Sequence, residues 1–131
     1  MTRREIRELI FKMVFRVEFH NEEEIPQQLR MFMDTLESAS EKDRAYIEQK
    51  VQDILAHLDE IDEIINSIAQ NWKTSRMAKV ELTLIRLAVY EIRFEEDIPT
   101  GVAINEAVEL AKAYGEDNSS SFVNGVLARI A

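Results

Sequence analysis

The most hydrophobic stretch of this chain spans residues 80–90 and reads Val80-Glu81-Leu82-Thr83-Leu84-Ile85-Arg86-Leu87-Ala88-Val89-Tyr90. Its apolar side chains cover more than one side of a helix, which is typical of a helix contacted by several neighbours. Apolar residues at helical spacing extend the pattern to Met77 and Ile92. We therefore predict a central helix here, and Ser75 has the side chain of an N-cap residue for it.

Helical spacing of apolar residues continues along the rest of the chain. Residues three and four positions apart share one face of a helix, so this pattern predicts amphipathic helices. The chain holds only three glycines and two prolines, so strands and tight hairpins lack their usual turn residues. We expect an all-α fold, a compact bundle of about seven helices. The helices besides the central one are predicted over residues 4–19, 25–36, 41–58, 61–68, 102–114 and 122–130.

Particular residues mark where these helices begin and end. Thr2 and Ser40 have side chains that cap a helix N-terminus, and Gly115 is placed to stop the helix before it. A break is expected near residue 59, where acidic residues offer a restart. Trp72 is expected to pin its loop to the core.

Size and composition limit the class of protein. At 131 residues the chain can bury a core without disulfides, and we expect one domain over residues 1–131. It contains no cysteine, which excludes disulfide frameworks, thiolate metal sites and cysteine nucleophiles. No apolar run approaches the roughly 18 residues of a membrane span, and no signal-peptide segment follows the N-terminus. We expect a cytoplasmic protein without membrane contact.

The charge of the chain is divided unevenly. Residues 1–16 contain five basic and two acidic side chains, a net charge of +3, whereas the whole chain carries −9 and residues 17–131 carry −12. A cationic end on an acidic protein can hold a polyanion locally, while the acidic remainder limits indiscriminate binding. Charge alone is equally consistent with an ordinary amphipathic helix whose basic face is solvated.

The residues that catalysis or metal binding needs are sparse. The two histidines, His20 and His57, are far apart in sequence, and a lone pair of Asp53 with His57 cannot make a metal site. The glycines are isolated, so a glycine-rich phosphate loop is absent from the sequence. Ser119–Ser121 stand before a predicted helix, where capping explains them better than nucleophilic catalysis. We expect a protein that is not an enzyme and that uses no cofactor or metal.

The most specific blocks of sequence lie in the C-terminal half. They follow the central stretch in a fixed order and are accompanied by an arginine-rich N-terminus. Together they resemble the bacterial transcription antitermination family NusB over essentially the whole chain. The blocks are Ile98-Pro99, Val102-Ala103-Ile104-Asn105-Glu106-Ala107-Val108-Glu109-Leu110-Ala111-Lys112, Tyr114-Gly115 and Phe122-Val123-Asn124-Gly125-Val126-Leu127, with Arg3-Arg4 and Arg7-Glu8 at the start.

The resemblance implies an all-helical fold of two three-helix bundles that share a long first helix. It also implies binding of boxA, a single-stranded element of nascent ribosomal leader RNA, together with NusE, a ribosomal small-subunit protein. The pair joins other Nus factors on RNA polymerase and suppresses premature termination in ribosomal RNA operons. No catalysis is implied.

The same resemblance implies site residues, position by position. The RNA-contacting positions of the family fall on Arg3, Arg4, Arg7, Asn118, Ser119 and Phe122. Phe15 and Glu81 match positions near the NusE-facing surface. Glu5 stands where the family often has a third consecutive basic residue, and Asn118 stands where some members have an acid. An amide at that position removes one repulsive charge beside phosphate.

Two alternatives stay open at this point. The first is a helical adaptor that docks proteins without binding RNA, so that its arginines are only solvated. The second is a homodimer that hides the RNA surface until the partner arrives, supported by the aromatic pair Phe11 and Phe15, although packing within one chain explains that pair equally well. RNA-modifying chemistry is not favoured, because no nucleotide-binding βαβ pattern follows the last helix.

Overall fold

A computed structural model describes residues 1–69 and 73–131, and all regular secondary structure in these residues is helical. This confirms the all-α fold. Trp72, expected to pin its loop to the core, lies outside the described residues. A 3₁₀ turn spans Thr74–Arg76. The α-helices are α1 (Arg3–Val17), α2 (Ile25–Asp34), α3 (Glu41–Ala56), α4 (Leu58–Ile68), α5 (Lys79–Phe94), α6 (Thr100–Tyr114) and α7 (Ser119–Ile130).

The chain divides into two compact units, Met1–Ala56 and His57–Ala131. The first unit contains α1, α2 and α3, and the second contains α4 to α7 together with the 3₁₀ turn. Each unit has apolar side chains that are fully removed from solvent. A single domain over residues 1–131 stays a prediction.

In the first unit, α1 packs against both α2 and α3. The apolar stripe of α1 faces inward, as its spacing predicts, and the facing stripe of α3 meets it. Ser40 caps α3, because its Oγ accepts a hydrogen bond from the Asp43 N–H at 3.1 Å. The core side chains from α1 and α3 that are at most 2 % exposed are Ile10, Met13, Val14, Ile47, Val51 and Ile54.

In the second unit, α5 packs against α4, α6 and α7, which confirms the central helix predicted from residues 80–90. Nine of its sixteen residues are buried, including the polar residues Thr83 and Glu91. The Thr83 hydroxyl donates to the Lys79 carbonyl at 2.7 Å, so this buried group is satisfied within the helix itself. Burial of apolar surface on several sides of α5 is the dominant stabilising contribution to this unit.

Arg86 interrupts the hydrophobic stretch, and its side chain is bound to α4. Its Nε donates to Oδ1 of Asp62 at 2.8 Å, and its Nη2 donates to Oδ2 at 2.7 Å. Two parallel bonds between a guanidinium and a carboxylate form the bidentate geometry that makes such pairs strong and directional. The Arg86 side chain is 11 % exposed, so the pair is partly shielded from water and fixes how α4 meets α5.

The prediction of Ser75 as the N-cap of α5 is wrong. The N-cap residue is Ala78, which has no polar side chain, and α5 begins at Lys79. Ser75 lies inside the 3₁₀ turn, and the neighbouring Thr74 N–H donates to Oδ1 of Asn66 at 2.8 Å. An asparagine of the preceding helix therefore anchors this segment, and local sequence around Ser75 does not show it.

Several helix ends differ from the sequence prediction by a few residues. The break expected near residue 59 lies at His57, and α6 begins at Thr100 directly after the extended Pro99. α7 begins at Ser119 rather than at residue 122. Apolar spacing marks only the part of a helix that meets the core, so polar first turns escape the pattern.

Gly115 ends α6 as predicted, but the reason is space rather than conformation. Its backbone is extended, with φ −94° and ψ −171°, which any residue adopts. A Cβ on Gly115 would lie 2.5 Å from the Ser119 Cβ, 2.6 Å from its Oγ and 2.8 Å from the Ala111 carbonyl oxygen. The helix backbone and the short, buried Ser119 side chain cannot move aside without disturbing the packing around them. Glycine at position 115 therefore allows α6 and α7 to come this close together.

We expect Gly115→Ala to lower the free energy of unfolding by about 1–3 kcal/mol, the usual cost of overpacking a close contact. Urea denaturation of the full chain, followed by circular dichroism, measures it. Gly125→Ala is the matched control, because Gly125 lies inside α7 and a Cβ there meets nothing within 4 Å. Alanine at that position should stabilise the helix by up to about 1 kcal/mol. Equal effects of the two substitutions would contradict the packing argument.

Candidate nucleic-acid interface

α1 begins with a capping box formed by Thr2 and Glu5. The Thr2 Oγ1 accepts a hydrogen bond from the Glu5 N–H at 3.1 Å, and the Thr2 N–H donates to Oε1 of Glu5 at 3.1 Å. This exchange satisfies backbone groups that a helix start otherwise leaves to water. It confirms Thr2 as the cap and gives Glu5, an acid in a basic segment, a structural role. The turn that carries the arginines is held helical by it.

The three N-terminal arginines are not equivalent. Arg3 and Arg4 are exposed, whereas Arg7 is 8 % exposed and is one of the buried charged residues. A guanidinium with so little exposed surface offers few donors to a phosphate from solvent. The structure thus places Arg3 and Arg4 on the surface, whereas Arg7 is buried.

Surface ion pairs near this end of α1 are weak ones. Lys12 Nζ lies 3.4 Å from Oε1 of Glu8 one turn earlier, and both side chains are more than a third exposed. The Met1 amino group lies 3.5 Å from Oδ2 of Asp43 in the first turn of α3. Exposed pairs of this kind contribute little to stability and are screened by salt. They leave the net positive charge of residues 1–16 in place.

The turn before α7 is the second segment expected to contact RNA. Asn118 is exposed and Phe122 is half-buried, but Ser119 is only 3 % exposed. The Ser119 hydroxyl donates to Oε2 of Glu81 at 2.8 Å and accepts from the Glu116 N–H at 2.9 Å. Ser119, expected to contact RNA, and Glu81, expected to face the partner, are therefore bound to each other. Both hydrogen bonds point the hydroxyl into the protein.

Three phenylalanines, Phe11, Phe15 and Phe19, form an aromatic column along α1 and the turn that follows it. Their ring centroids are 5.9 Å apart for the first pair and 5.0 Å for the second. Exposure rises along the column, from 3 % at Phe11 through half-buried Phe15 to 61 % at Phe19. The column carries apolar surface from the core of the first unit out to solvent.

Between α2 and α3 lies an open groove of about 760 Å³. Ile25, Leu29 and Leu55 give it apolar lining, and Glu48 and Gln52 add polar groups. None of its described lining residues is a serine, cysteine or histidine, so the Ser–His and Cys–His pairs of nucleophilic catalysis are absent from this lining.

Residues 1–69 and 73–131 contain neither a metal-binding cluster nor a membrane-spanning helix. No group of three or more histidine, cysteine, aspartate and glutamate side chains in this part of the chain could hold a metal ion. His57 instead packs its ring 4.5 Å from that of Phe94. No helix within the described ranges is long and apolar enough to cross a bilayer.

Sequence reasoning missed two features of these surfaces. Phe19 follows Phe15 by four residues, a spacing that could have extended the aromatic pair already noted. The bond between Ser119 and Glu81 joins residues 38 positions apart, and no spacing rule connects them. The resemblance implies RNA contact for Arg7 and Ser119, and both are buried, because a matched position carries no information on burial.

Comparisons with known proteins agree with one another along the chain. A model of the NusB family matches residues 4–131. A transcription antitermination protein NusB from Agathobacter rectalis is 56 % identical over 131 residues, which cover 100 % of both chains. The structure of T. maritima NusB is 39 % identical with a TM-score of 0.91, and the match covers 100 % of this chain and 91 % of that one. A chain in a crystal structure of antitermination factors NusB and NusE in complex with dsRNA is 25 % identical with a TM-score of 0.84, covering 98 % of this chain and 94 % of that one.

The capping box makes the start of α1 sensitive to pH. Hydrogen bonds from Thr2 hold the pKa of the Glu5 carboxyl below its ordinary value of 4.5; the bond from the Thr2 backbone has the larger effect and the bond from its side chain the smaller one. A lowered folded-state pKa contributes stability above the unfolded pKa, and this is lost as the pH falls through the folded pKa. We expect an NMR titration to place the Glu5 pKa below 4.5, and Thr2→Ala to raise it only part of the way back, because the backbone donor remains. An unchanged pKa in Thr2→Ala would contradict the role of the threonine side chain.

Proposed function

This chain belongs to the NusB family, and we propose that it is a transcription antitermination factor that binds boxA-type single-stranded RNA together with a NusE-type ribosomal protein. With other Nus factors on RNA polymerase, the pair helps transcription of ribosomal RNA operons to continue through terminators. The observation that carries the RNA-binding part of this proposal is the exposed, net-positive start of α1 on an otherwise acidic chain.

Arg3 and Arg4 provide the first contact for RNA in this proposal. A guanidinium is permanently charged and presents its donors in a planar fork that fits phosphate oxygens. Each phosphate neutralised on a single strand adds about 0.7 to the salt slope of binding. Two exposed arginines therefore give a modest affinity that depends on salt, while the charge of −12 over residues 17–131 repels RNA elsewhere.

The turn before α7 is the second proposed RNA contact. The exposed Asn118 side chain has both donor and acceptor atoms, which suits base edges as well as phosphates. The half-buried ring of Phe122 can stack on an unpaired base. Arg7 and Ser119 are buried, and in this proposal they support the site from beneath its surface.

Phe15 and Glu81 are the residues proposed to face the NusE-type partner. Phe15 belongs to the aromatic column, and exposed aromatic surface such as Phe19 is typical of protein interfaces. A partner that itself binds RNA carries positive charge, which the acidic remainder of this chain attracts. A homodimer is the competing use of the column, and it would rest on Phe15 and Phe19, since Phe11 is buried.

The proposed role requires no catalytic group, cofactor or metal ion. It consists of binding RNA and protein partners and holding them in one assembly. Nascent ribosomal RNA is bound where bacterial RNA polymerase works, so the site of action in this proposal is the cytoplasm, without a membrane partner.

A protein–protein adaptor that does not bind RNA is the second candidate. The aromatic column and the groove between α2 and α3 favour it, because both offer apolar surface to a protein partner. The two candidates differ in whether the purified protein holds RNA, and filter binding with boxA-like, scrambled and double-stranded RNA separates them.

We expect Arg4→Ala to weaken binding of boxA-like RNA several-fold and to lower the salt slope by about 0.7, because one phosphate contact is lost. Arg4 is exposed at the start of α1, so circular dichroism should show an unchanged fold. Titrations at a series of salt concentrations give both the affinity and the slope.

Arg30→Ala is the matched control for Arg4→Ala. Arg30 is an exposed arginine of the same unit, on α2, so its removal changes the net charge equally. It should leave RNA affinity close to that of the unaltered protein. An equal loss in both variants would show that overall charge, rather than the start of α1, governs binding. Absence of any RNA binding by the unaltered protein would favour the adaptor.

Addition of a NusE-type protein should raise the RNA affinity of this chain, because a basic partner extends the cationic surface available to the strand. Identical RNA affinity with and without the partner would contradict the joint-binding proposal.

Phe19→Ala should weaken partner binding several-fold, since it removes the most exposed ring of the aromatic column. Met31→Ala, which truncates an exposed apolar side chain on α2, serves as the control.

A further inference from the structure

The Ser119 hydroxyl joins three segments of the second unit at one point. α5 supplies Glu81, the segment after α6 supplies Glu116, and Ser119 itself begins α7. The Ser119 N–H also donates to the Glu116 carbonyl at 3.0 Å, while the Glu116 N–H donates to the Ser119 Oγ. The turn over residues 116–119 is therefore closed by two hydrogen bonds, and one of them depends on how the hydroxyl is oriented.

Glu81 decides the orientation of that hydroxyl. A serine hydroxyl has one hydrogen to donate, and an ionised carboxylate can only accept. With its hydrogen directed to Oε2 of Glu81 at 2.8 Å, the Ser119 oxygen presents a lone pair to the Glu116 N–H. A hydrogen bond to a charged acceptor is stronger than a neutral one, and consecutive bonds polarise each other.

The packing around Ser119 leaves the hydroxyl few other choices. Ser119 is 3 % exposed, so solvent cannot readily replace Glu81 as an acceptor. Because Gly115 has no Cβ, there is room beside it for the Ser119 side chain. A Cβ on residue 115 would lie 2.6 Å from the serine Oγ. A substitution at Glu81 must therefore weaken the hydrogen bond from the Glu116 N–H to the Ser119 Oγ, and with it the turn that this bond closes.

We propose that Glu81 is a positioning residue for RNA binding: through the Ser119 hydroxyl, it holds residues 116–119 in the conformation that presents Asn118 to RNA. The inference rests on the proposed function, because that function assigns this turn to RNA contact. It gives Ser119 a supporting role instead of a direct one. It also gives Glu81 a role in RNA binding that is independent of any partner contact.

This assignment links the two proposed sites of the second unit. A partner that hydrogen-bonds the Glu81 carboxylate acts on the group that orients the Ser119 hydroxyl. Partner docking at Glu81 and RNA contact at Asn118 then share a coupling free energy, and each changes the affinity for the other by the same factor.

The RNA affinity of Glu81→Ala, measured without any partner protein, tests the proposal by whether it rises or falls relative to the unaltered protein. Removing one negative charge from a protein that binds a polyanion strengthens binding if charge alone matters. Loss of the hydrogen bond that positions the turn weakens RNA binding instead. We expect the affinity to fall about three- to tenfold, which corresponds to the net free energy of one hydrogen bond. Glu109→Ala is the matched control, because Glu109 is a solvent-accessible acid of the same unit, on α6, and its carboxylate lies 3.4 Å from Lys112 Nζ. It should leave RNA affinity unchanged or slightly higher.

Three further variants separate positioning from simple loss of a contact. Ser119→Ala should weaken RNA binding as much as Glu81→Ala, and the double variant should be no weaker than either single one, because both act through one hydroxyl. Glu81→Gln keeps an acceptor oxygen and should restore most of the affinity. Titrations are run at a temperature where circular dichroism shows every variant folded. Additive losses, or a Glu81→Ala affinity equal to that of Glu109→Ala, would overturn the proposal.

Amide hydrogen exchange gives a second reading that needs no RNA. The Glu116 N–H should exchange faster in Ser119→Ala and in Glu81→Ala than in the unaltered protein, and near the unaltered rate in Glu81→Gln. Unchanged exchange in Glu81→Ala would refute the positioning role even if RNA binds. Failure of the unaltered protein to bind RNA, with faster exchange in the variants, would instead refute the proposed function while the hydrogen-bonded link stands.

Discussion

Burial of α5 is the constraint on which the second unit depends. A helix with nine buried residues must be covered on several sides, and α4, α6 and α7 provide that cover. The cover also determines what the polar side chains of α5 can do, because a buried polar group needs a partner. Arg86 is committed to Asp62 on α4, and Glu81 is committed to Ser119 on α7. The packing of α5 thus determines which of its charged side chains form hydrogen bonds within the protein and which are left to bind ligands.

The two proposed RNA-contacting segments are built by different means. The start of α1 is organised locally, since its capping box joins residues only three positions apart. The turn before α7 depends on a hydrogen bond between residues 38 positions apart and on a glycine that makes room for it. The capping box that stabilises the turn of Arg3 and Arg4 needs only neighbouring residues. The turn at Asn118 is instead sensitive to changes at a distance along the chain.

Sequence patterns predicted the parts of the structure that follow from periodic burial. The all-α class, the central position of α5 and the caps at Thr2 and Ser40 all follow from spacing and local hydrogen-bonding chemistry. Ser75 was misassigned as a cap because Asn66, on another helix, holds that segment. The burial of Arg7 and Ser119 does not follow from local spacing either, because exposure at a helix end depends on tertiary packing. The roles of the site residues came from resemblance, which transfers a position but not its environment.

The order of the helices along the chain has a consequence for synthesis. The three helices of the first unit are contiguous over residues 1–56, so this unit has all its core residues as soon as that segment has left the ribosome. α5 is completed at Phe94, but one of its covering helices begins only at Ser119. The apolar side of α5 that α7 covers therefore waits, uncovered, for tens of residues of translation, which at bacterial rates lasts about a second or more. In that interval the uncovered apolar surface of α5 is open to association with other chains.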